Sequence, residues 1–300
     1  MLDLIVIGAG PAGITASVYA ARKKMDFLVI SKDIGGQAAW SGDIENYTGY
    51  QFISGPELAS KFEDHMRQYD ITVKDNEEVR EVKKLDGIIS VASDKSAYEA
   101  KTVIVASGKK TRELNVPGEK EFKNKGLTYC ATCDAPLFSG KDVAVVGGGN
   151  SGLDAALQLT KIARRIYLVN IAPEITGDPV MEEQVRKSSI ITVLNDTRVT
   201  GVTGDKFVTG ISIKRNNKEE ALAVGGVFVE IGLIPNSGFV KGVEKNELGE
   251  IKVNCRNETN AGGIFAAGDV TDVPEKQIII AAGEGSKACL SAFRYLLQHN

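Results

Sequence analysis

Leu2-Asp3-Leu4-Ile5-Val6-Ile7-Gly8-Ala9-Gly10-Pro11-Ala12-Gly13 stands at the start of the chain and decides its fold. Leu2 to Ile7 is the unbroken apolar run of a strand buried on both faces, and Ile14 to Arg22 reads as a helix. Between them lies GxGxxG. In that setting the first glycine permits a tight turn and the second lets backbone approach a pyrophosphate. The third lets helix pack on strand, with the phosphates at the helix N-terminus. A lone GxGxxG says little, but here the flanking strand and helix supply the context that a dinucleotide site needs.

The pattern occurs twice. A second apolar strand, Asp142 to Val146, runs into Gly147-Gly148-Gly149-Asn150-Ser151-Gly152 and a helix-like Leu153 to Ile162. An acid that binds ribose is expected about 20 residues after such glycines. After the first set the strand Phe27 to Ile30 ends at Ser31, Lys32 and Asp33; after the second, Ile166 to Val169 ends at Asn170. Val103 to Gly108, Gly226 to Gly232 and Gly263 to Asp269 echo one another as apolar runs closing on glycine. Pro56 to Tyr69 and Ile278 to Leu297 have helical spacing. If the Gly268-Asp269 segment completes the site begun at Gly8, the first domain is discontinuous. The expected class is therefore α/β, with two Rossmann-like three-layer nucleotide-binding domains, residues 1–112 and 240–300 enclosing an inserted domain at 113–239. Two chain crossings then form a natural hinge.

With 300 residues the chain is long enough for about two domains of ordinary size. The 43% hydrophobic and 25% charged content is that of a soluble globular protein. Lys and Arg number 36 against 39 Asp and Glu, so the net charge of -3 gives no electrostatic footprint for nucleic acid or an anionic membrane. No apolar run reaches the roughly 18 residues of a spanning helix. The expectation is a cytoplasmic protein.

Tyr129-Cys130-Ala131-Thr132-Cys133-Asp134 carries the chemistry. Two cysteines separated by two residues make either half of a metal site or a redox couple. A zinc site needs about four ligands, whereas Cys255 and Cys289 stand alone and His65 and His299 lie far off in sequence. The redox reading is favoured and no metal is expected. Cys255 and Cys289 read as ordinary thiols.

Taken together, Gly8 to Gly13, Gly36-Gln37, Glu45-Asn46-Tyr47, Cys130 to Asp134, Gly147 to Gly152 and Ala267-Gly268-Asp269 resemble the low-molecular-weight thioredoxin reductases. From Leu137 onward, above all at Ala172-Pro173-Glu174, Ile231 to Asn236 and Lys276 to Ile280, the chain looks closer still to the flavoprotein subunit of alkyl hydroperoxide reductase. That family carries an extra N-terminal redox module; this chain starts at the flavin fingerprint, so a separate protein is the expected acceptor. The resemblance implies FAD in the first domain, a nicotinamide dinucleotide in the second, and a homodimer. Gly8, Gly10, Pro11, Ala12 and Gly13 would then hold the FAD pyrophosphate, with Ser31, Lys32, Gly36 and Gln37 on the adenosine side. Asn46 would lie near the flavin, Asp269 at the ribityl or phosphate end, and Lys276, Gln277 and Ile278 at the flavin edge. Gly147, Gly149, Asn150, Ser151, Gly152 and Asn170 would hold the nicotinamide dinucleotide.

The resemblance also implies roles at the CxxC. Cys133 would face the flavin, Cys130 would attack the disulfide of a thioredoxin or glutaredoxin-like partner, and Asp134 would exchange protons with the pair; a plain helix cap is the alternative for Asp134. NADPH-dependent members carry arginines after the second-domain strand, where this chain has Val169-Asn170-Ile171-Ala172-Pro173-Glu174. A 2'-phosphate without an arginine partner binds poorly, so NADH is favoured over NADPH. A donor such as ferredoxin, with a vestigial nicotinamide site, is a second reading. A redox sensor that does not turn over is a third, and a flavin oxidase is disfavoured because it needs no dithiol.

Overall fold

A computed structural model of the chain describes residues 1–41 and 43–299. The chain divides into two compact units, one of Met1–Lys110 with Ile234–Asn300 and one of Thr111–Leu233, so the second is inserted into the first.

In the first unit β1 (Leu2–Ala9) leads through the glycine turn into α1 (Pro11–Arg22), whose first residue is a proline already set to helical φ. Then come β2 (Phe27–Ile34), α2 (Gly55–Arg67), β3 (Thr72–Lys74), β4 (Val79–Leu85), β5 (Ile88–Ser93) and β6 (Ala97–Val105). Ser54 caps α2 by accepting from Glu57 N–H at 3.3 Å. β1 pairs in parallel with both β2 and β6. The alternation of its side chains serves two cores: Leu4 and Val6 join the layer under α1, while Ile5 and Ile7 pack with Val82, Ile89 and Val91 of the β4–β5 hairpin. Both faces of β1 are thus covered, which is why it reads as one apolar run.

The inserted unit repeats this plan. β7 (Leu127–Thr128), α3 (Ala131–Asp134), β8 (Asp142–Val146), α4 (Asn150–Leu159), β9 (Arg165–Val169), α5 (Pro179–Lys187) and β10 (Ile191–Leu194) precede an antiparallel meander, β11 (Thr197–Gly204), β12 (Val208–Arg215) and β13 (Lys218–Ala223). The chain then re-enters the parallel sheet as β14 (Gly226–Val229), giving the order β7-β14-β8-β9-β10. Val143 and Val145 face the helices with Leu153, Leu159 and Phe228; Ala144 and Val146 face the meander with Val199, Val202 and Ile211. Each buried Val, Leu, Ile or Phe side chain among these contributes about 1.5–3 kcal/mol relative to exposure.

Back in the first unit, β15 (Ile264–Ala266) pairs with the second half of β6, whose first half pairs with β5. α6 (Ile278–His299) then lies against α1. The helical layer of each unit therefore has a strand meander, not a second set of helices, opposite it. Among the described residues no helix is long and apolar enough to cross a membrane.

The contact of α1 with α6 depends on one missing side chain, because a Cβ at Gly285 would lie 2.0 Å from the Ala12 carbonyl oxygen. Gly285→Ala should therefore force the helices apart and cost about 1–3 kcal/mol in denaturant unfolding; an unchanged midpoint would contradict this packing.

Candidate functional site

Each unit builds the same glycine turn. Gly8 has φ +101°, and a Cβ there would lie 2.3 Å from the Ala106 carbonyl; Gly147 has φ +137°, and its Cβ would lie 2.2 Å from the Glu230 carbonyl. Only glycine suits such a backbone. The last glycines match as well, with a Cβ at Gly13 falling 1.8 Å from Gly8 O and one at Gly152 falling 2.0 Å from Gly147 O. α1 and α4 thus start at the carboxyl ends of β1 and β8, with Gly10 and Gly149 as N-caps that offer no side chain and with no acid in the first turn. By contrast α2 and α5 are capped by Ser54 and Asp178. The N–H groups left without a side-chain acceptor at α1 and α4 fit the pyrophosphate of a dinucleotide in both units.

In the first unit the loop at Gly35-Gly36 closes on this turn: a Cβ on Gly36 would lie 3.1 Å from Gly10 Cα. Ser31 is buried, accepting from Ala9 N–H at 3.0 Å and donating to Asp33 O at 2.6 Å. Lys32 is exposed and pairs with Glu78 at 2.8 Å. Gln37 donates to Lys109 O at 2.5 Å. Asn46 donates to Gln277 Oε1 at 3.1 Å, so two residues far apart in sequence meet beside Ile278, the first residue of α6. Asp269 follows Gly268, whose missing Cβ would approach Ala12 at 3.1 Å, so it stands close to the start of α1. Burial raises the Asp269 pKa, while Lys276 and Lys109 oppose that rise. Lys276 also lies 3.4 Å from Glu250, which Lys109 contacts directly. This buried Lys109–Glu250 pair is absent from the residues that the sequence singles out, because a lysine and a glutamate so distant in sequence carry no local signal.

In the inserted unit Gly147, Gly149, Asn150, Ser151 and Gly152 form the turn and the start of α4, and Asn150 Oδ1 accepts from Asp178 N–H at 2.7 Å. Asn170 is buried and turned inward. Its Nδ2 reaches Glu174 O at 2.7 Å, Asn195 Oδ1 at 2.9 Å and Ala172 O at 3.1 Å, and its Oδ1 accepts from Ala172 N–H at 3.2 Å. An amide donates only two hydrogens, so these acceptors already occupy it. Arg164 is bound to Asp142 at 2.8 Å, and Arg165 begins β9 opposite Asp142. Both arginines thus lie at the amino end of the sheet, about 15 Å along the strands from the glycine turn.

Cys130 and Cys133 form a disulfide, with their Cα atoms 5.3 Å apart. Cys130 is the N-cap of the short α3, and its Sγ accepts from Cys133 N–H at 3.2 Å. Side chains from neighbouring segments hold this turn. Thr128 donates its hydroxyl to Asp134, so Asp134 is held at the foot of the CxxC turn. Thr132 donates to Gln158 at 3.3 Å, and Gln158 donates to Asp154 at 2.6 Å, tying the turn to α4. Ala131 N–H donates to Glu230 Oε1 at 3.2 Å.

Glu230, which contacts this turn, is not among the residues that the sequence singles out. It follows β14 just as Ala106 follows β6, and the two carbonyls occupy the same place over the first glycine of each turn. The signal was present in the echo of Val103 to Gly108 by Val227 to Gly232, which sets a glutamate against an alanine. Burial pushes the Glu230 carboxyl up from 4.5 to about 7, with a further push from the Asp154 charge and an opposing pull from the Ala131 N–H.

The profile of the family described as Pyridine nucleotide-disulphide oxidoreductase matches residues 2–285. An NADH dehydrogenase of Bacillus subtilis (strain 168) is 41% identical over 300 residues, covering 99% of this chain and 59% of its own length. The F component of alkyl hydroperoxide reductase in Staphylococcus aureus (strain MSSA476) is 42% identical over 301 residues, again with 99% of this chain and 59% of its own length. The chain thus spans a little under three-fifths of these relatives. The crystal structure of thioredoxin reductase from Streptococcus pyogenes MGAS5005 superposes with a TM-score of 0.94 at 34% identity, covering 99% of both chains.

The raised Glu230 pKa has a sign that can be measured. Between its unfolded value near 4.5 and its folded value of about 7, the folded chain holds a proton that the unfolded chain has lost, so this group's contribution to stability fades as pH rises through that window. Glu230→Gln removes the titration. Its unfolding free energy relative to the unaltered protein should therefore rise by about 2 kcal/mol between pH 5 and pH 8; a difference that does not vary with pH would contradict a desolvated carboxyl at this position.

Proposed function

The chain belongs to the pyridine nucleotide-disulphide oxidoreductase family, in its thioredoxin-reductase-like branch, and we propose that it is a FAD-dependent disulfide reductase. Electrons enter from NADH, pass to the Cys130–Cys133 disulfide and leave to the disulfide of a thioredoxin or glutaredoxin-like protein, with the working molecule a homodimer. The observation that carries this reading is the Cys130–Cys133 disulfide in a unit whose own glycine turn is shaped for a dinucleotide.

Gly8, Gly10, Pro11, Ala12 and Gly13 bind the FAD pyrophosphate at the start of α1. Ser31, Lys32, Gly36 and Gln37 line the adenosine side, and Asn46, Asp269, Lys276, Gln277 and Ile278 meet the ribityl and flavin end. When bound, FAD accepts two electrons from the nicotinamide and passes them to the disulfide. Cys133 is the sulfur that takes the electrons, and Cys130 becomes the outer thiol that attacks the partner disulfide. Asp134, held by Thr128, supplies and recovers the proton of the pair.

Gly147, Gly149, Asn150, Ser151 and Gly152 seat the nicotinamide dinucleotide at the start of α4. Preference for NADH over NADPH is supported by the absence of arginine from 170–178 and by exposed Glu174 and Asp178 in that segment, which repel a 2'-phosphate. That the Bacillus subtilis relative is an NADH dehydrogenase points the same way. The inward-turned Asn170 amide supports a second reading, in which the same flavin and disulfide are fed by ferredoxin or another donor and the second glycine turn is vestigial.

Steady-state reduction of a thioredoxin disulfide tests the proposal. NADH should exceed NADPH in kcat/KM by about tenfold or more, as expected for an unpaired phosphate. Cys130→Ser and Cys133→Ser should each lower this turnover by at least about a hundredfold while NADH still bleaches the flavin. Turnover with reduced ferredoxin but with neither nicotinamide would replace the first reading by the second, and turnover that survives the loss of Cys130 would overturn both.

A further inference from the structure

The fold does not require a carboxyl at position 230. Its counterpart in the first unit, Ala106, makes the same backbone approach over Gly8 that Glu230 makes over Gly147, with a methyl for a side chain. The inserted unit nonetheless places a glutamate at the end of β14, beside β8, where the strand order reverses and α/β sheets open a crevice at their carboxyl ends. Its Oε1 accepts the N–H of Ala131, the residue next to Cys130 within the CxxC turn. The carboxyl is half-buried, so its charged form loses part of its hydration, and the Ala131 N–H returns some of that cost.

We infer that Glu230 is a positioning residue for the Cys130–Cys133 pair, which holds the turn through Ala131 N–H and by its ionisation sets how readily the reduced pair yields a thiolate. This rests on the reading of Cys130–Cys133 as a cycling couple, though on neither the electron donor nor the acceptor. When an external dithiol, oxidised in turn to its own disulfide, gives two electrons to the pair, the S–S bond breaks. With one proton taken up, one sulfur becomes a thiol and the other a thiolate. The second proton then has two places to go, the thiolate sulfur or the Glu230 carboxylate. A charged Glu230 opposes the thiolate, and a neutral one does not, so the two ionisations compete. Among the described residues, Asp154 on α4 acts on Glu230 in the same sense, and Asp134 on α3 is engaged by Thr128. A pKa of about 7 for Glu230 places the competition where the enzyme would work.

The test uses the flavin-loaded protein, reduced by excess dithiol, desalted without oxygen and treated with iodoacetamide from pH 5.5 to 9.5, with alkylation of Cys130 and Cys133 followed by peptide mass spectrometry. The unaltered protein should show a rise in rate spread over a wider pH range than a single ionisation allows. In Glu230→Gln the rise should sharpen to one ionisation and shift down, making alkylation at pH 7.5 about three- to tenfold faster, which corresponds to a thiol pKa lower by about half a unit to one unit. Glu230→Asp, which keeps the charge on a shorter arm, should retain the broad profile. A single-ionisation profile in the unaltered protein overturns the inference whatever the variants do, and so do superimposable profiles in the unaltered protein and Glu230→Gln. Failure of the dithiol to expose either cysteine overturns the cycling couple itself, and so tells the two failures apart.

Discussion

Both units depend on one close approach, the packing of a helix onto the carbonyl of the glycine that ends the preceding strand. At Gly13 over Gly8 and at Gly152 over Gly147 a single added carbon would fall within 1.8 and 2.0 Å of a backbone oxygen. No repacking of flexible side chains relieves a clash between backbone atoms. The approach points the first N–H groups of α1 and α4 away from the sheet, with Gly10 and Gly149 providing no side chain to cover them. N–H groups that suit an anionic group are thus a by-product of how the helix meets the strand.

The two units differ in the residues that come after the strand beside each turn. In the first unit Ala106 leads to Ser107, whose hydroxyl donates to Asn236 O at 2.7 Å, and the carboxyl end of the sheet carries Asp269 with Lys109, Glu250 and Lys276 behind it. The inserted unit has Glu230 instead, with its side chain on the CxxC turn. One architecture is therefore used twice, once with Asp269, Lys109, Glu250 and Lys276 at the carboxyl end of the sheet and once with a disulfide turn beside a carboxyl that burial pushes up to about 7. Thr128, Gln158 and Glu230 reach this turn from three different elements, which fixes a four-residue helix too short to be stable alone.

The parts legible in sequence are those where one residue type is obligatory. Gly8, Gly13, Gly147 and Gly152 announce themselves because no other residue fits, and Val143 to Val146 read as a buried strand because both faces are covered. The meanders at 79–93 and 197–223 are built of short strands, and nothing local in either stretch says that they take the place of a helical layer. Asn170 was found by its position after β9, yet its inward hydrogen bonds to Ala172, Glu174 and Asn195 depend on a turn that only the folded chain defines. Glu230 and the Lys109–Glu250 pair escaped because a single charged residue at a strand end looks like solvated surface until burial is known.

The central claim is that the Cys130–Cys133 disulfide and the flavin site form one electron path. Anaerobic titration of the FAD-loaded protein with NADH, counting electrons by absorbance and free thiols by alkylation, tests it most directly. The account predicts that the unaltered protein consumes about two equivalents of NADH before excess NADH accumulates, one for the flavin and one for the disulfide, and that Cys133→Ser consumes about one. An unaltered protein that stops at about one equivalent, with Cys130 and Cys133 still resistant to alkylation, would contradict the claim.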